Sequence, residues 1–308
     1  MNKTEFTNNI KEVSYDVGFD LIGITSPNTN NFTSNIFFQE WLDRGNHASM
    51  KWLDNKKEER KNIFKYFPGV KSVLSFGLNY YSGDNASNNN YKISNYAWGD
   101  DYHIVVKQKL YEVLSFIKSY NENINYRVCV DTSPIMEKNW AQKAGLGWIG
   151  KHTNLINRKK GSWFFLGEIL IDINLSYDEP FIDDLCGTCV KCIEACPTEA
   201  LSPYLLDSNK CLSYLTIEHR GKIHEDYSDK LEGWIYGCDI CQEVCPWNIT
   251  FSELSNEKSF YKKKEIQSMK DSDWEKIDKE QYRKIFKKSA VKRTKYEGLT
   301  RNIELNKK

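Results

Sequence analysis

The chain has 308 residues, enough at roughly 100–200 residues per domain for about two domains. Hydrophobic residues make up 40% and charged residues 28%; no apolar run reaches the about 20 residues that span a bilayer, and the opening MNKTEFTNNIKEV has no apolar signal-peptide core, so a cytoplasmic protein without a membrane partner is expected. Formal net charge is +1, but residues 258–308 carry 17 Lys/Arg against 8 Asp/Glu, a basic tail that suits either a nucleic-acid contact or a solvated helical face.

Residues 4–17 read as an amphipathic helix, followed by a short apolar strand at Asp20–Thr25. Residues 35–65 read as helical and aromatic-rich around Trp41, Met50 and Trp52, with Met50 a core residue. Val70–Leu78 is a second strand, and Ser82–Asn90 (SGDNASNNN) is a polar loop. From Asp101 a helix is expected, because Val106, Leu110, Val113 and Ile117 recur at helical spacing. Tyr126–Asp131 is a third strand. Ser133 is expected to cap a helix running to about Ala144, with Pro134 at its first position. Strands near Thr153–Ile156 and Trp163–Ile171 flank a hairpin loop at 158–162.

Nine cysteines in a chain without an export signal point to metal rather than disulfides. Cys186, Cys189, Cys192 and Cys196-Pro197 form C-x2-C-x2-C-x3-C-P, the bacterial-ferredoxin signature. Cys211, Cys238, Cys241 and Cys245-Pro246 form a second, irregular run. In such pairs the last cysteine of each run reaches across to the other cluster. Cys245 should therefore complete the set Cys186, Cys189 and Cys192, while Cys196 completes Cys211, Cys238 and Cys241. Zinc is the bland alternative, but zinc sites pair ligands in simpler knuckles. Cys129 stands apart and reads as a buried structural thiol.

Two cubane clusters move electrons singly but make no substrate bonds, and some 180 residues precede them, so a second redox centre or substrate site is expected there. Gly145, Gly147 and Gly150 match the letters of a dinucleotide fingerprint, yet they follow an expected helix rather than a strand.

Several stretches in order along the chain resemble one family. They are Trp98-Gly-Asp-Asp-Tyr-His103, Val130-Asp131-Thr-Ser-Pro134, Ala144-Gly-Leu-Gly-Trp-Ile-Gly-Lys-His-Thr-Asn154, the double cysteine motif, and Cys211-Leu-Ser-Tyr-Leu-Thr-Ile-Glu218. The family they resemble is epoxyqueuosine reductase, whose cobalamin domain is similar to reductive dehalogenases and distantly to nitroreductase-like folds. The resemblance implies an α+β protein. Residues 1–178 would form a nitroreductase-like cobalamin-binding reductase domain, 179–257 a ferredoxin-like domain with two 4Fe–4S clusters, and 258–308 a short basic helical tail, the start of a HEAT-like extension.

The activity it implies is reduction of epoxyqueuosine to queuosine at the wobble position of tRNA, the last step of queuosine biosynthesis. Asp131 would be the proton donor; for that, burial would have to raise its carboxyl above the usual value of about 3.9. Trp98, Asp131, Lys151, His152, Thr153, Asn154, Ser213, Leu215 and Thr216 would surround the corrin. No D-x-H-x-x-G motif is present, so His103 and His152 are expected as hydrogen-bonding residues, not cobalt ligands. The expected partners are tRNA carrying epoxyqueuosine and an external low-potential electron donor, with the chain a monomer. The alternatives are a corrinoid reductive dehalogenase-like enzyme acting on a small organohalide, or a non-catalytic ferredoxin-type electron carrier.

Overall fold

The computed structural model describes residues 2–28, 33–83 and 90–307. The polar loop expected at Ser82–Asn90 therefore lies mostly outside the described residues. A capping box between Asn2 and Glu5 opens α1 (Lys3–Asp16), which leads into β1 (Leu21–Thr25). The aromatic-rich stretch is four short helices: α2 (Thr33–Asp43), α3 (Lys51–Asn55), α4 (Lys57–Lys61) and α5 (Ile63–Tyr66). Left-handed backbone at Gly45 and Ala48 interrupts it, as does Asn62, whose side chain caps α5.

Next come β2 (Ser72–Asn79), β3 (Lys92–Ile93), α6 (Tyr102–Tyr120), β4 (Tyr126–Cys129) and α7 (Glu137–Lys143). β5 (Trp148–Ile149), β6 (Leu155–Ile156) and β7 (Phe164–Ile171) complete this half. The central sheet has the order β1-β2-β7-β4 and is antiparallel throughout. β2 is buried at every position, because the sheet is covered on both faces. Leu74, Phe76 and Leu78 meet Val106, Leu110 and Val113 of α6 on one face. Val73, Leu170 and Cys129 meet Trp140 of α7 on the other. At Gly23 a side chain would meet the Ala144 carbonyl at 1.9 Å, so the glycine lets β1 pass the end of α7.

Two local expectations are corrected. α7 begins at Glu137, not at Ser133, whose hydroxyl bonds Tyr66 and Cys129 instead of capping the helix. The strand at Leu155–Ile156 pairs with β5, not with β7, although the turn after it closes through an Asn157–Gly161 bridge.

The cysteine-rich half contains α8 (Lys191–Glu194), the hairpin β8 (Leu201–Ser202) and β9 (Leu205–Leu206), α9 (Leu212–Ile217), β10 (Trp234–Tyr236), α10 (Ile240–Glu243) and α11 (Pro246–Phe251). β10 pairs in parallel with β3, so it is joined to the first half by backbone hydrogen bonds. The last stretch folds as α12 (Lys264–Ser268), α13 (Asp271–Glu275), α14 (Lys279–Ile285), a 3-10 turn at Ala290–Thr294 and α15 (Lys295–Asn306). Its Trp274, Phe286, Val291, Leu299 and Ile303 share one core with Ile93, Trp98, Ile217 and Tyr236. Asn302, fully buried, donates to the carbonyls of Thr216 and Ile235.

Candidate functional site

The cysteines come first, because their positions are the most constrained. Cys186, Cys189, Cys192 and Cys245 ring a cavity of ≈ 330 Å³, which Lys151, His152, Trp247 and Phe251 also line. This is the crossed set of the sequence pattern. The other four are also neighbours: Cys241 feels the charges of Cys211 and Cys196, and Cys238 those of Cys241 and Cys211. Burial, then the charges of Cys245 and Cys186, pushes the Cys192 thiol up to about 11. Thiolates at that depth need cationic partners, which iron supplies. Among the described residues no three His, Cys, Asp or Glu side chains converge on a single metal ion. Four thiols spaced around one open cavity suit a cluster.

A second constellation forms where β4 runs out. Asp131 has φ of 56°, a left-handed conformation that costs most residues about 1–2 kcal/mol and that Asp tolerates. Its backbone N–H donates to Glu137 Oε1 at 2.5 Å. Its carboxylate Oδ2 lies 3.1 Å from His103 Nε2, and His103 Nδ1 lies 2.7 Å from Asp101 Oδ1. Asp101 also caps α6, so the start of that helix aims the imidazole. With a carboxylate on each nitrogen, His103 is an imidazolium. Burial opposes its charge, but the bonds to Asp101 and Asp131 push its pKa up to about 9.

For Asp131 burial again opposes the charge, and here it loses. The His103 bond and charge, the Tyr102 hydroxyl and the more distant Arg293 hold its carboxyl below the usual range. The raised carboxyl that the proton-donor reading required is therefore not seen in the chain without its cofactor. The Asp131 side chain is 54% exposed, open to water that a bound group would displace.

The expected corrin contacts divide. Asp131, Thr153, Asn154 and Ser213 keep partly or well exposed side chains. Lys138 Nζ donates to the Thr153 carbonyl and to Asn154 Oδ1, tying that segment to the start of α7. Lys151 and His152 are buried and line the cysteine cavity instead, with Lys151 Nζ clamping the carbonyls of Gly187 and Cys189. Burial, then Lys138, pushes the His152 pKa down to about 4, so the ring is neutral. Trp98 is buried in the core of the C-terminal helices, donating to the Ile93 carbonyl under the Lys262 ammonium. Leu215 is core, and the fully buried Thr216 bonds the Leu212 carbonyl and receives the Gly237 N–H. Met50 is partly buried against the cluster of Leu212, Tyr214 and Leu215.

Four groups at the site were missed by sequence reasoning. Glu137 and Lys138 lie in what reads as a helix interior, Arg60 contacts the turn carbonyls of Ser133 and Ile135, and Arg293 arrives from the tail. Lys138 has a particular position, because its charge interacts with Glu137, Asp131 and Cys241 together.

Residues 185–248 match the family model for a 4Fe-4S double cluster binding domain. A catabolic reductive dehalogenase shares the fold at TM-score 0.51 and 18% identity, over 82% of this chain and 33% of that one. Fold and site define an iron–sulfur oxidoreductase carrying two 4Fe–4S clusters. Residues 60–132 match the family model described as epoxyqueuosine reductase QueG, DUF1730, and the epoxyqueuosine reductase of Leadbetterella byssophila is 44% identical over 97% of each chain. The chain belongs to the epoxyqueuosine reductase family. A relative from Salmonella typhimurium is 36% identical, over 98% of this chain and 80% of that protein. A crystal structure of epoxyqueuosine reductase with an epoxyqueuosine-modified tRNA-Tyr stem loop superposes with TM-score 0.90 at 26% identity, covering 99% of this chain and 81% of that one. No helix among the described residues is long and apolar enough to cross a membrane.

Proposed function

We infer that the chain reduces epoxyqueuosine, at the wobble position of a tRNA anticodon, to queuosine. It uses cobalamin and two 4Fe–4S clusters, and Asp131 is the proton donor. The observation that carries this reading is that Asp131, Glu137 and Cys241 of the second cysteine set all act electrostatically on one side chain, Lys138, which hydrogen-bonds the Thr153–Asn154 segment. It brings an acid and an electron source within electrostatic range of the same side chain.

Removing the epoxide oxygen to leave an alkene takes two electrons and two protons, and releases water. Cysteine set Cys186, Cys189, Cys192 and Cys245 holds one cluster, and Cys196, Cys211, Cys238 and Cys241 the other. Cobalamin, when bound, supplies a strongly reducing metal centre to the cleft. Thr153, Asn154 and Ser213, with side chains partly exposed, would line its site, while buried Trp98, Lys151, His152, Leu215 and Thr216 would support the surrounding backbone. His103 Nε2, 3.1 Å from Asp131 Oδ2, holds a proton on that hydrogen bond. As substrate fills the cleft and displaces water, the charged pair is disfavoured and the proton moves to Asp131 Oδ2, facing the departing oxygen.

The tail reaches this site. Arg293 influences Asp131 and Lys292 influences Asp101. Arg293 is held by a two-point ion pair with Glu218, and with Lys292 it supplies positive charge near the acid site that would give phosphates of the RNA sequence-independent affinity. The chain acts as a monomer in the cytoplasm, fed by an external low-potential donor. Turnover of an epoxyqueuosine stem-loop beside an aryl halide tests the reading: loss of the epoxide alone is expected, and dehalogenation alone would overturn it.

A further inference from the structure

Beneath Asp131 runs a polar seam that the reaction above does not use. Glu168 sits in the middle of β7, fully buried, and neither carboxyl oxygen has a hydrogen-bond partner. Its register partners are Ser75 on β2 and Cys129 on β4, so the three side chains form one row across the sheet. Leu170, two positions along the strand and therefore on the same face, packs with Trp140 of α7. The row thus lies under α7, whose first residue is Glu137. Ser75 Oγ is also without a partner. An ionised carboxylate there would have nothing to compensate it, so Glu168 keeps its proton.

Glu137 is the next carboxyl above. Burial, then the charge of Asp131, pushes it up to about 8. Burial, then the charge of Glu137, holds Glu168 well above the usual range. The groups facing Glu137 are Asp131 from the preceding turn, Arg60 from α4 and its neighbour Lys138. Glu168 is faced by Glu137 and the Cys129 thiol. Set against Asp131 and above the unpartnered Glu168, Glu137 favours its protonated form, so the site can hold two mobile protons, one on His103 and one on Glu137. A cleft closed by RNA must carry both protons aboard, and the reaction consumes two.

We propose that Glu137, backed by Glu168, stores the second proton of the deoxygenation, while His103 and Asp131 share the first. This rests on the functional reading above. The first proton goes from Asp131 to the epoxide oxygen as one C–O bond breaks and the clusters supply electrons. Glu137 then reprotonates Asp131, which passes that proton to the hydroxyl; the second C–O bond breaks, the C=C bond forms and water leaves. Glu137 ends as a carboxylate and regains its proton from solvent after release. It acts through Asp131, as a positioning and proton-holding residue.

Glu137→Gln keeps an oxygen to accept the Asp131 N–H but removes the acidic proton, and so separates backbone support from proton supply. In holoenzyme with both clusters and cobalamin, its single-turnover rate should fall about 100-fold, with a larger solvent deuterium effect. The wild-type loss of rate as pH rises through about 8 should vanish in the variant. In the infrared, wild-type protein without substrate should show a protonated carboxylic acid band at neutral pH, which Glu137→Gln and Glu168→Gln each diminish. A wild-type rate and pH profile in Glu137→Gln, or no such band, would overturn the reserve. An inactive wild type on the stem-loop would instead overturn the functional reading.

Discussion

His103 keeps the proton that the chemistry assigns to Asp131, because two carboxylates flank its ring. The charge state follows from geometry at 2.7 Å and 3.1 Å, and its sign can be checked. A histidine raised from about 6.5 contributes stability that is fully present below that pH. The contribution is lost as pH rises through about 9, where His103 titrates. Nuclear magnetic resonance should find that titration near 9, and Asp101→Asn should move it down. Asp131→Ala should retain both clusters and cobalamin yet lose turnover by at least about 100-fold, read as nucleoside conversion. Asp131 was legible only through the resemblance, because an Asp before Thr-Ser-Pro otherwise reads as a turn acceptor. His103 was legible as a hydrogen-bonding residue. Glu168 was invisible, since nothing in a strand sequence says that a carboxyl will lack a partner.

At the scale of elements, cysteine spacing is the strongest signal in the chain, because short loops can present thiols to a cubane in few ways. The cavity ringed by Cys186, Cys189, Cys192 and Cys245 has the crossed composition that the spacing implied. Cys245→Ser should therefore damage the cluster proposed at Cys186, Cys189 and Cys192, halving iron content and removing one electron paramagnetic resonance signal. Strands and long helices were equally legible: α6 and β2 follow apolar periodicity. The start of α7 was not, because Ser133 looks like a cap while its hydroxyl is taken by Tyr66 and Cys129. Tertiary partners decided between two locally acceptable uses of one side chain.

At the scale of the molecule, the basic tail is also a structural wall. Its apolar residues complete the core around Trp98 and Tyr236, and Arg293, paired with Glu218, adds positive charge that helps hold the Asp131 carboxyl down. Charge counting found the cations but could not say which of them reach the site. Lys292→Ala with Arg293→Ala should weaken stem-loop binding and reduce the slope of log affinity against log salt by roughly 0.7 per lost phosphate contact. Equal slopes would remove these two residues from the RNA interface. On the proposed reading, electrons from two clusters and protons from the Asp131 site meet on one RNA nucleotide. Single turnover of fully reduced holoprotein with an epoxyqueuosine stem-loop, followed by nucleoside mass analysis, tests it most directly. Queuosine, lighter by one oxygen, should form with two electrons consumed per nucleoside; clusters that reoxidise while epoxyqueuosine remains intact would rule out that meeting of electrons and protons.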